Sequence, residues 1–178
     1  MTYHIRRATQ ADNSAIATFY DHSLPHIDPT QTSWIPGVYP AVSDALSAMI
    51  KNELFICLDD DGTVVGSVIL NTEVDEAYEN LNWSTRDLMK QNLVVHTLIT
   101  HPKRLKQGIA SQMVNFIKAF ALKEGMASIQ LDTLVDNVPA RQLYEKNGFL
   151  YVGRHDLPSF DNKGVDDCVF YEFLLEHA

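Results

Sequence analysis

One stretch of the chain combines a flexible turn with positive charge. Residues 101–111 read HPKRLKQGIAS, with three basic residues ahead of Gly108 and the small residue Ala110 shortly after it. Apolar residues from Ile109 onward recur at helical spacing, so this turn opens a helix. The first N–H groups of a helix are unpaired and carry partial positive charge, and they bind phosphate groups. The segment predicts an anion site for a phosphorylated ligand.

The other interpretation of this stretch is an ordinary strand-to-helix loop with solvated charges. The nucleotide motifs GxxxxGK[ST] and GxGxxG are missing from the sequence. Their absence disfavours ATP and dinucleotides as the ligand.

A second segment, residues 136–149, reads DNVPARQLYEKNGF. Asn137 or the residue before it can cap a helix, and Pro139 suits the first turn of that helix. Tyr144 lies on the helix, which Gly148 ends. A tyrosine hydroxyl stays protonated at neutral pH and can donate a proton. A buried helix tyrosine packed on a sheet is the alternative for Tyr144.

The two segments together resemble the GNAT superfamily of N-acetyltransferases. Within it, the pattern W-x-x-G-x-Y-P at residues 34–40, the insertion with Tyr78 and Trp83, and Val95-His96 resemble a group of uncharacterised bacterial members. Residues 102–110 are similar to the family's acetyl-CoA pyrophosphate loop, [QR]-x-x-G-x-[GA], and residues 136–149 are similar to N-x-x-A-x-x-x-Y-x-x-x-G-F. The resemblance extends over nearly the whole chain. One departure is that Leu105 stands where the family has Gln or Arg, followed by Lys106 where Gly is common.

The resemblance implies acetyl-CoA as co-substrate and direct attack of an amine on its thioester in a ternary complex. It implies that Tyr144 donates a proton to the departing CoA thiolate and that Asn137 anchors the cofactor arm, unless Asn137 only caps its helix. The pyrophosphate contacts are mainly backbone N–H groups, with Arg104 or Lys106 supplying the polar group that Leu105 lacks. The implied cofactor-binding residues are Leu98, Ile99, Thr100, Arg104, Lys106, Gln107, Gly108, Ile109, Ala110, Ser111, Asn137 and Tyr144.

An alkylammonium acceptor must lose a proton before it attacks, since its pKa is about 10. His96 is the first candidate for the general base because it titrates near neutrality and lies on the strand leading to the loop. A hydrogen-bonded core histidine is the alternative. Glu73 and Asp75 follow a predicted hairpin and can attract the cation or relay its proton, or they are solvated loop charges.

Four aromatic residues outside the two motifs are candidates for the acceptor pocket, because aromatic faces hold cationic amines. Packing of loops against the domain explains them equally well. They are Trp34, Tyr39, Tyr78 and Trp83.

Composition narrows the class of protein. The 178 residues are 46% hydrophobic and 21% charged, with a formal net charge of −9, which argues against general nucleic-acid binding. No apolar run reaches the roughly 20 residues that span a bilayer, and no leader is evident, so we expect a cytoplasmic protein. The seven histidines have no metal-ligand spacing, so we predict no metal. Both cysteines lie in apolar strands as buried thiols.

The predicted elements alternate in a way that fixes the fold class. Strands are predicted at residues 3–7, 54–58, 63–70, 93–100, 129–133, 149–153 and 168–175, the last two separated by a polar loop. Helices are predicted after Thr9, at residues 42–51, at 107–124 and after Pro139. The long polar segment 71–91 is functional or contains a short helix. Gly66 marks a bulge or a close backbone approach.

This order, β-α-α-β-β-(loop)-β-α-β-α-β-β, predicts an α/β or α+β fold with a mixed, mostly antiparallel sheet flanked by helices, in one domain over residues 1–178. The predicted function is N-acetyl transfer from acetyl-CoA to a small-molecule amine or a protein amino group. Alternatives are a non-catalytic acyl-CoA-binding or regulatory module and an acyltransferase for longer acyl groups. We expect no nucleic-acid or membrane partner, and the resemblance makes a homodimer plausible.

Overall fold

The structure is a computed structural model that describes residues 1–86 and 91–176. Residues 87–90, which fall in the long segment predicted to be a loop, lie outside the described residues. The described chain divides into two compact units. Unit 1 contains residues 1–27, 34–70 and 96–116, and unit 2 contains residues 28–33, 71–95 and 117–178. No helix in the described part of the chain is long and apolar enough to cross a membrane.

Unit 1 is built on an antiparallel meander with two helices. Strand β1 pairs with β2, and β2 pairs with β3. Their apolar residues pack with helices α1 and α2 in one buried cluster. The elements are β1 (His4–Arg7), α1 (Asn13–Ser23), α2 (Val42–Ile50), β2 (Leu54–Leu58) and β3 (Val64–Asn71).

Helix α1 begins as the sequence predicts. Thr9 and Asp12 form a capping box on a short 3-10 turn that leads into the helix. Asp12 also accepts two hydrogen bonds from the Arg6 guanidinium, at 2.8 and 2.9 Å. Ile16 and Phe19 lie on the buried face of α1. Local capping and helical periodicity therefore account for this element.

Gly66 lies both at a β-bulge and at a close backbone approach, the two alternatives that its place in a strand predicts. The register of β2 with β3 shifts next to it, between Cys57 and Leu58. A Cβ atom at Gly66 would lie 2.6 Å from Met113 Sδ and 3.3 Å from the Ile99 carbonyl oxygen. A side chain at this position would force Met113 to move, because the first contact is far below van der Waals distance.

Unit 2 contains an antiparallel β5–β7–β6 arrangement and helix α4. The prediction for its last hairpin was wrong in length, because residues 154–158 and 165–167 belong to strands and not to a polar loop. Polar side chains there satisfy one another across the strands, as in the ion pair of Arg154 with Asp167. The elements are β5 (Ser128–Leu134), α4 (Val138–Lys146), β6 (Leu150–Pro158) and β7 (Val165–Leu174).

Strand β4 (Leu93–Thr100) and helix α3 (Ile109–Lys123) each contribute residues to both units. In unit 2, β4 pairs in parallel with β5 through Leu93 and Val94. The full strand order is β1-β2-β3-β4-β5-β7-β6. This seven-stranded mixed sheet with four α-helices confirms the predicted α/β class and element order.

The predicted short helix in the long segment after β3 is a 3-10 turn at Glu76–Asn80. It carries Tyr78 into a buried cluster with Trp83 and Phe170. The two rings Tyr78 and Trp83 stack with their centroids 5.3 Å apart, and the Trp83 indole N–H donates to the Tyr78 carbonyl oxygen at 2.7 Å. Aromatic packing thus anchors this polar segment to the sheet of unit 2.

Candidate active site

The loop between β4 and α3, in unit 1, has the conformation that its sequence predicts. Lys106 and Gly108 both have positive φ angles, of 62° and 79°. A Cβ atom at Gly108 would meet no atom within 4 Å. The side of Gly108 on which another residue would carry its side chain is therefore open, and a ligand can approach the backbone there.

The amide groups at this turn are available to a ligand. The first helical hydrogen bond of α3 runs from the Gln112 N–H to the Gly108 carbonyl oxygen, at 3.0 Å. The N–H groups of Ile109, Ala110 and Ser111 precede it, and no acceptor for them is found within residues 1–86 and 91–176. They lie at the positive end of the α3 dipole, an arrangement that can bind an anion.

Side chains of the loop hold its shape. The Arg104 guanidinium forms an ion pair with Asp59 and donates from Nε to Gln107 Oε1 at 3.2 Å. This ion pair lowers the pKa of Asp59. Leu105, at the departure from the family motif, is 63% exposed. Arg104 is thus committed to the protein, whereas Lys106 is exposed and remains the candidate for a polar contact with a ligand.

His101 caps the start of the same loop. Its Nδ1 accepts the Lys103 N–H at 3.2 Å, which assigns the neutral tautomer with an unprotonated Nδ1. Burial and the positive charges of Lys103 and Arg104 lower the pKa of His101. A neutral His101 therefore maintains this turn at physiological pH.

Strand β4 has an unusual backbone just before its end. Thr97 has a φ of 50°, and its hydroxyl shares a hydrogen bond with the Tyr39 hydroxyl. A β-branched residue in the left-handed region costs about 1–3 kcal/mol, and such strain clusters at functional sites. The distortion lies directly before Leu98, Ile99 and Thr100, the predicted pantetheine-binding strand end.

Tyr144 lies in unit 2, on helix α4. It is 7% exposed and packs against Phe149 and Tyr171, with ring centroids 5.6 and 6.1 Å away. Burial raises the pKa of Tyr144, and the nearby Asp132 carboxylate raises it further. The hydroxyl therefore stays protonated at neutral pH, as a proton donor requires. The structure also bears out the alternative feature, a helix tyrosine packed on the sheet.

Asn137 is the N-cap of α4. Its Oδ1 accepts the Ala140 N–H at 3.2 Å, and Pro139 occupies the first turn of the helix. The capping interpretation of Asn137 is confirmed. Its role toward a cofactor stays a prediction.

The four predicted acceptor aromatics fall into two groups. Trp34 packs against the buried cluster of unit 1, and Tyr39 contacts Thr97. Tyr78 and Trp83 line a pocket of about 560 Å³ in unit 2. The remaining lining residues are Thr72, Val74, Glu79, Arg86, Gln91, Asn92, Val94 and Gln130.

The three residues predicted to accept or relay the proton of the amine have different surroundings. His96 is half-buried in β4, whereas Glu73 is exposed and its backbone N–H donates to Asn71 Oδ1 at 3.0 Å. Asp75 is also exposed, and its side chain accepts the Ala77 N–H at 2.9 Å. Glu73 and Asp75 belong to unit 2, whereas His96 belongs to unit 1.

The sequence analysis missed Asp132. Its Oδ2 accepts a hydrogen bond from the Tyr78 hydroxyl at 2.6 Å, and the carboxylate is only half-buried. Burial raises the pKa of Asp132, the Tyr78 hydrogen bond lowers it, and the Asp75 charge raises it. The sequence signal for Asp132 was a charged residue among the apolar residues of a buried strand, because burying a carboxylate is costly unless it has a partner.

The cysteines behave as the sequence predicts. Cys57 and Cys168 are both buried and free. Burial raises the pKa of Cys57 to about 11, so its thiol is protonated and unreactive at neutral pH.

The sequence of this chain matches a known protein family. The family model for the acetyltransferase (GNAT) family matches residues 14–149 of this chain. The chain therefore belongs to the GNAT acetyltransferase family, which makes it a member of a class of acyltransferases.

Individual relatives agree with the family. A streptothricin acetyltransferase of Escherichia coli is 34% identical over 95 residues, which cover 53% of this chain and 51% of the relative. The chain thus matches about half the length of this curated relative.

Solved structures share the fold at lower identity. An acetyltransferase of the GNAT family from Streptococcus agalactiae has a TM-score of 0.79 at 17% identity, covering 98% of this chain and 96% of that one. The yncA protein from Salmonella typhimurium, solved with its cofactor acetyl-CoA, has a TM-score of 0.70 at 14% identity, covering 100% and 96%.

Proposed function

We propose that this protein transfers the acetyl group of acetyl-CoA to a primary amine by direct attack in a ternary complex. The observation that carries the proposal is the turn at Gly108 with the available N–H groups of residues 109–111. Membership of the GNAT family and the activity in the name of the streptothricin acetyltransferase support it.

The residues of the loop fit a pyrophosphate group. A pyrophosphate is anionic and needs several N–H donors in a small space, and an uncovered helix start supplies them without a bulky side chain. Lys106 adds a flexible positive charge beside the turn. We assign the pantetheine arm to the end of β4, at Leu98, Ile99 and Thr100, with Asn137 as a further anchor.

Acetyl-CoA supplies an activated acetyl group as a thioester. In the proposed reaction the amine nitrogen forms a bond to the carbonyl carbon, the carbon–sulfur bond breaks, and Tyr144 donates its proton to the sulfur. The raised pKa of Tyr144 supports this role because the hydroxyl is fully protonated before the reaction. From the sequence alone, His96 and Glu73 are the candidates for the general base.

The acceptor is proposed to be a cationic amine, either a small molecule or a protein amino group. Streptothricin is the first acceptor to test, because the curated relative is named for it. The aromatic residues Trp34, Tyr39, Tyr78 and Trp83 are proposed to contribute to acceptor binding through their faces.

Two measurements test this proposal. Calorimetry with acetyl-CoA should show saturable binding to the full chain. A thiol-release assay should then detect free CoA when acetyl-CoA is combined with streptothricin, polyamines, amino acids or peptides. Binding without thiol release across this panel would favour a non-catalytic acyl-CoA-binding module, and turnover only with longer acyl-CoA substrates would correct the acyl group. No binding at all would refute the proposal.

A further inference from the structure

The pocket of unit 2 contains the side-chain amide of Gln130, a residue that is 4% exposed overall. Among the described residues, the fully buried side-chain polar atom without a partner is Ser23 Oγ, so the Gln130 amide is accessible from the pocket. An accessible amide in a pocket wall can form hydrogen bonds with a polar ligand.

Asp132 lies on the same face of strand β5 as this amide. Residues i and i+2 of a strand share a face, so the side chains of Gln130 and Asp132 point to the same side of the sheet. Tyr78 connects the two, because its ring lines the pocket and its hydroxyl donates to Asp132. Asp132 is not itself a lining residue, so the Tyr78 hydroxyl is the link between its half-buried carboxylate and a ligand that fills the pocket.

The proposed proton donor lies on the other face of this sheet. Leu131 pairs with Tyr171, and Asp132 pairs with Phe170, so these two pairs face opposite sides. Phe170 packs with Tyr78, whereas Tyr171 packs with Tyr144 on helix α4.

We propose that Asp132 binds the ammonium group of the acceptor and takes the proton that the amine must lose before attack. The proposal rests on the acetyl transfer proposed above and identifies the acceptor as a cationic amine with a second polar group for Gln130. Tyr78 is a positioning residue that holds the carboxylate.

The proton balance of the reaction is complete with these groups. An ammonium acceptor carries three protons, and its amide product keeps one. One proton passes to Asp132 and from there to solvent when the enzyme resets. The last leaves the nitrogen as the carbon–sulfur bond breaks and restores Tyr144, whose own proton has gone to the CoA sulfur.

Asp132 is a stronger base than an ordinary carboxylate. Burial raises its pKa and the charge of Asp75 raises it further, while the Tyr78 hydroxyl lowers it. Cys168 lies on the same face as Asp132, and Tyr144 interacts with the carboxylate through its charge; both have raised pKa values, so both remain neutral near Asp132. Raising the carboxyl pKa brings it nearer that of the ammonium group and makes proton transfer less costly.

The first test is Asp132→Asn, with an amine that the thiol-release panel has identified. We expect kcat/KM for the amine to fall about 100-fold or more, with the Kd for acetyl-CoA unchanged. Asp166→Asn is the matched control, because Asp166 is also a half-buried carboxylate with a raised pKa, at the far end of β7. It should stay within about twofold of the wild type. Asp132→Asn with more than half of the wild-type kcat/KM would overturn the proposal.

The second test separates catalysis from a structural hydrogen bond. In Tyr78→Phe the carboxylate loses the bond that lowers its pKa, so the acidic limb of the kcat/KM profile should move to higher pH. Tyr151→Phe, at an exposed tyrosine of β6, should leave the limb in place. A Tyr78→Phe protein with lower activity and an unmoved limb would show that Asp132 does not act as the base.

A third measurement needs no turnover and decides the case if no amine in the panel reacts. Carbon NMR of the protein labelled at aspartate carboxyls should show a saturable shift of the Asp132 signal with n-butylammonium chloride. This shift without any thiol release would refute the proposed enzyme activity but support the cation site. With no thiol release and no shift of the Asp132 signal, the proposed role of Asp132 would also be refuted.

Discussion

The two proposed sites, the loop of unit 1 and a set of side chains in unit 2, are of opposite construction. The first, residues 101–111, offers backbone N–H groups, and its side chains mainly shape the turn. The second consists of Tyr78, Asp132 and Tyr144, whose functional atoms all belong to side chains. The first site therefore depends on backbone conformation, and the second depends on residue identity.

This difference explains why the motif departure at Leu105 is tolerable. Leu105 is largely exposed, and the turn conformation is provided by the positive φ angles of Lys106 and Gly108. Side-chain chemistry at one loop position therefore matters less than the freedom of the backbone shortly after it. At Tyr144 or Asp132 no comparable substitution is expected to be tolerated.

The largest expected effect belongs to the side-chain site. Tyr144→Phe removes the proposed donor and keeps the ring that packs against Phe149 and Tyr171. We expect kcat to fall about 100-fold or more, since general acid catalysis contributes on the order of 10²–10⁴. Stopped assays of thiol release would measure this, and calorimetry should find the Kd for acetyl-CoA unchanged. A Tyr144→Phe enzyme with a nearly wild-type kcat would show that Tyr144 is not the proton donor.

Gly108→Ala tests the backbone site. A Cβ atom there meets no protein atom, so it projects into the space left for the ligand, and we expect acetyl-CoA to bind about tenfold more weakly. Gly125→Ala is the matched control, because Gly125 has a φ of 71° and an equally open Cβ position at the far end of α3.

Both glycine variants should lose about 1 kcal/mol of unfolding free energy from left-handed strain. Only Gly108→Ala should weaken cofactor binding. Equal affinities of the two variants for acetyl-CoA would contradict the assignment of the turn.

Asp132→Asn should separate stability from function as pH changes. Because the folded state raises the pKa of Asp132, the ionised carboxylate destabilises the fold above that pKa. The neutral variant should therefore have the higher Tm at pH 7.5. The two Tm values should converge as pH falls below about 3.9, because the carboxyl then becomes protonated in the unfolded state as well as in the folded state. If the variant is less stable at every pH, then Asp132 serves only as the acceptor for Tyr78.

The smallest effect is expected for Leu105→Gln, which restores the family residue. Backbone N–H groups provide the pyrophosphate contacts in this account, so the Kd for acetyl-CoA should change by less than about threefold. An increase in affinity of tenfold or more would show that a side chain dominates the loop site.

Sequence reasoning predicted the conformation of the loop at Gly108 well because its determinants are local. Gly108 and the helical periodicity after it lie within a few residues, as do the cap and end of α4 at Asn137 and Gly148. Strands at residues 54–58 and 93–100 also have the predicted limits. Patterns of this kind depend on neighbours in the chain, which a sequence displays directly.

The same reasoning failed where partners are distant in sequence. Tyr78 and Asp132 are separated by 54 residues, and neither carries a motif that points to the other. The β6–β7 hairpin was predicted too short because charged residues such as Arg154 and Asp167 are typical of loops. Arg154 lies on the edge strand β6, where a charge is favourable because it discourages pairing with other chains.

The central claim is that the amides at the start of α3 bind the pyrophosphate of CoA. The most direct test is a nitrogen–proton NMR titration of the full chain with coenzyme A. The account predicts saturable shifts of the amide signals of Gly108, Ile109, Ala110 and Ser111, larger than those at the far end of the helix near Gly125. Coenzyme A that binds without shifting these four signals, or that does not bind, would contradict it.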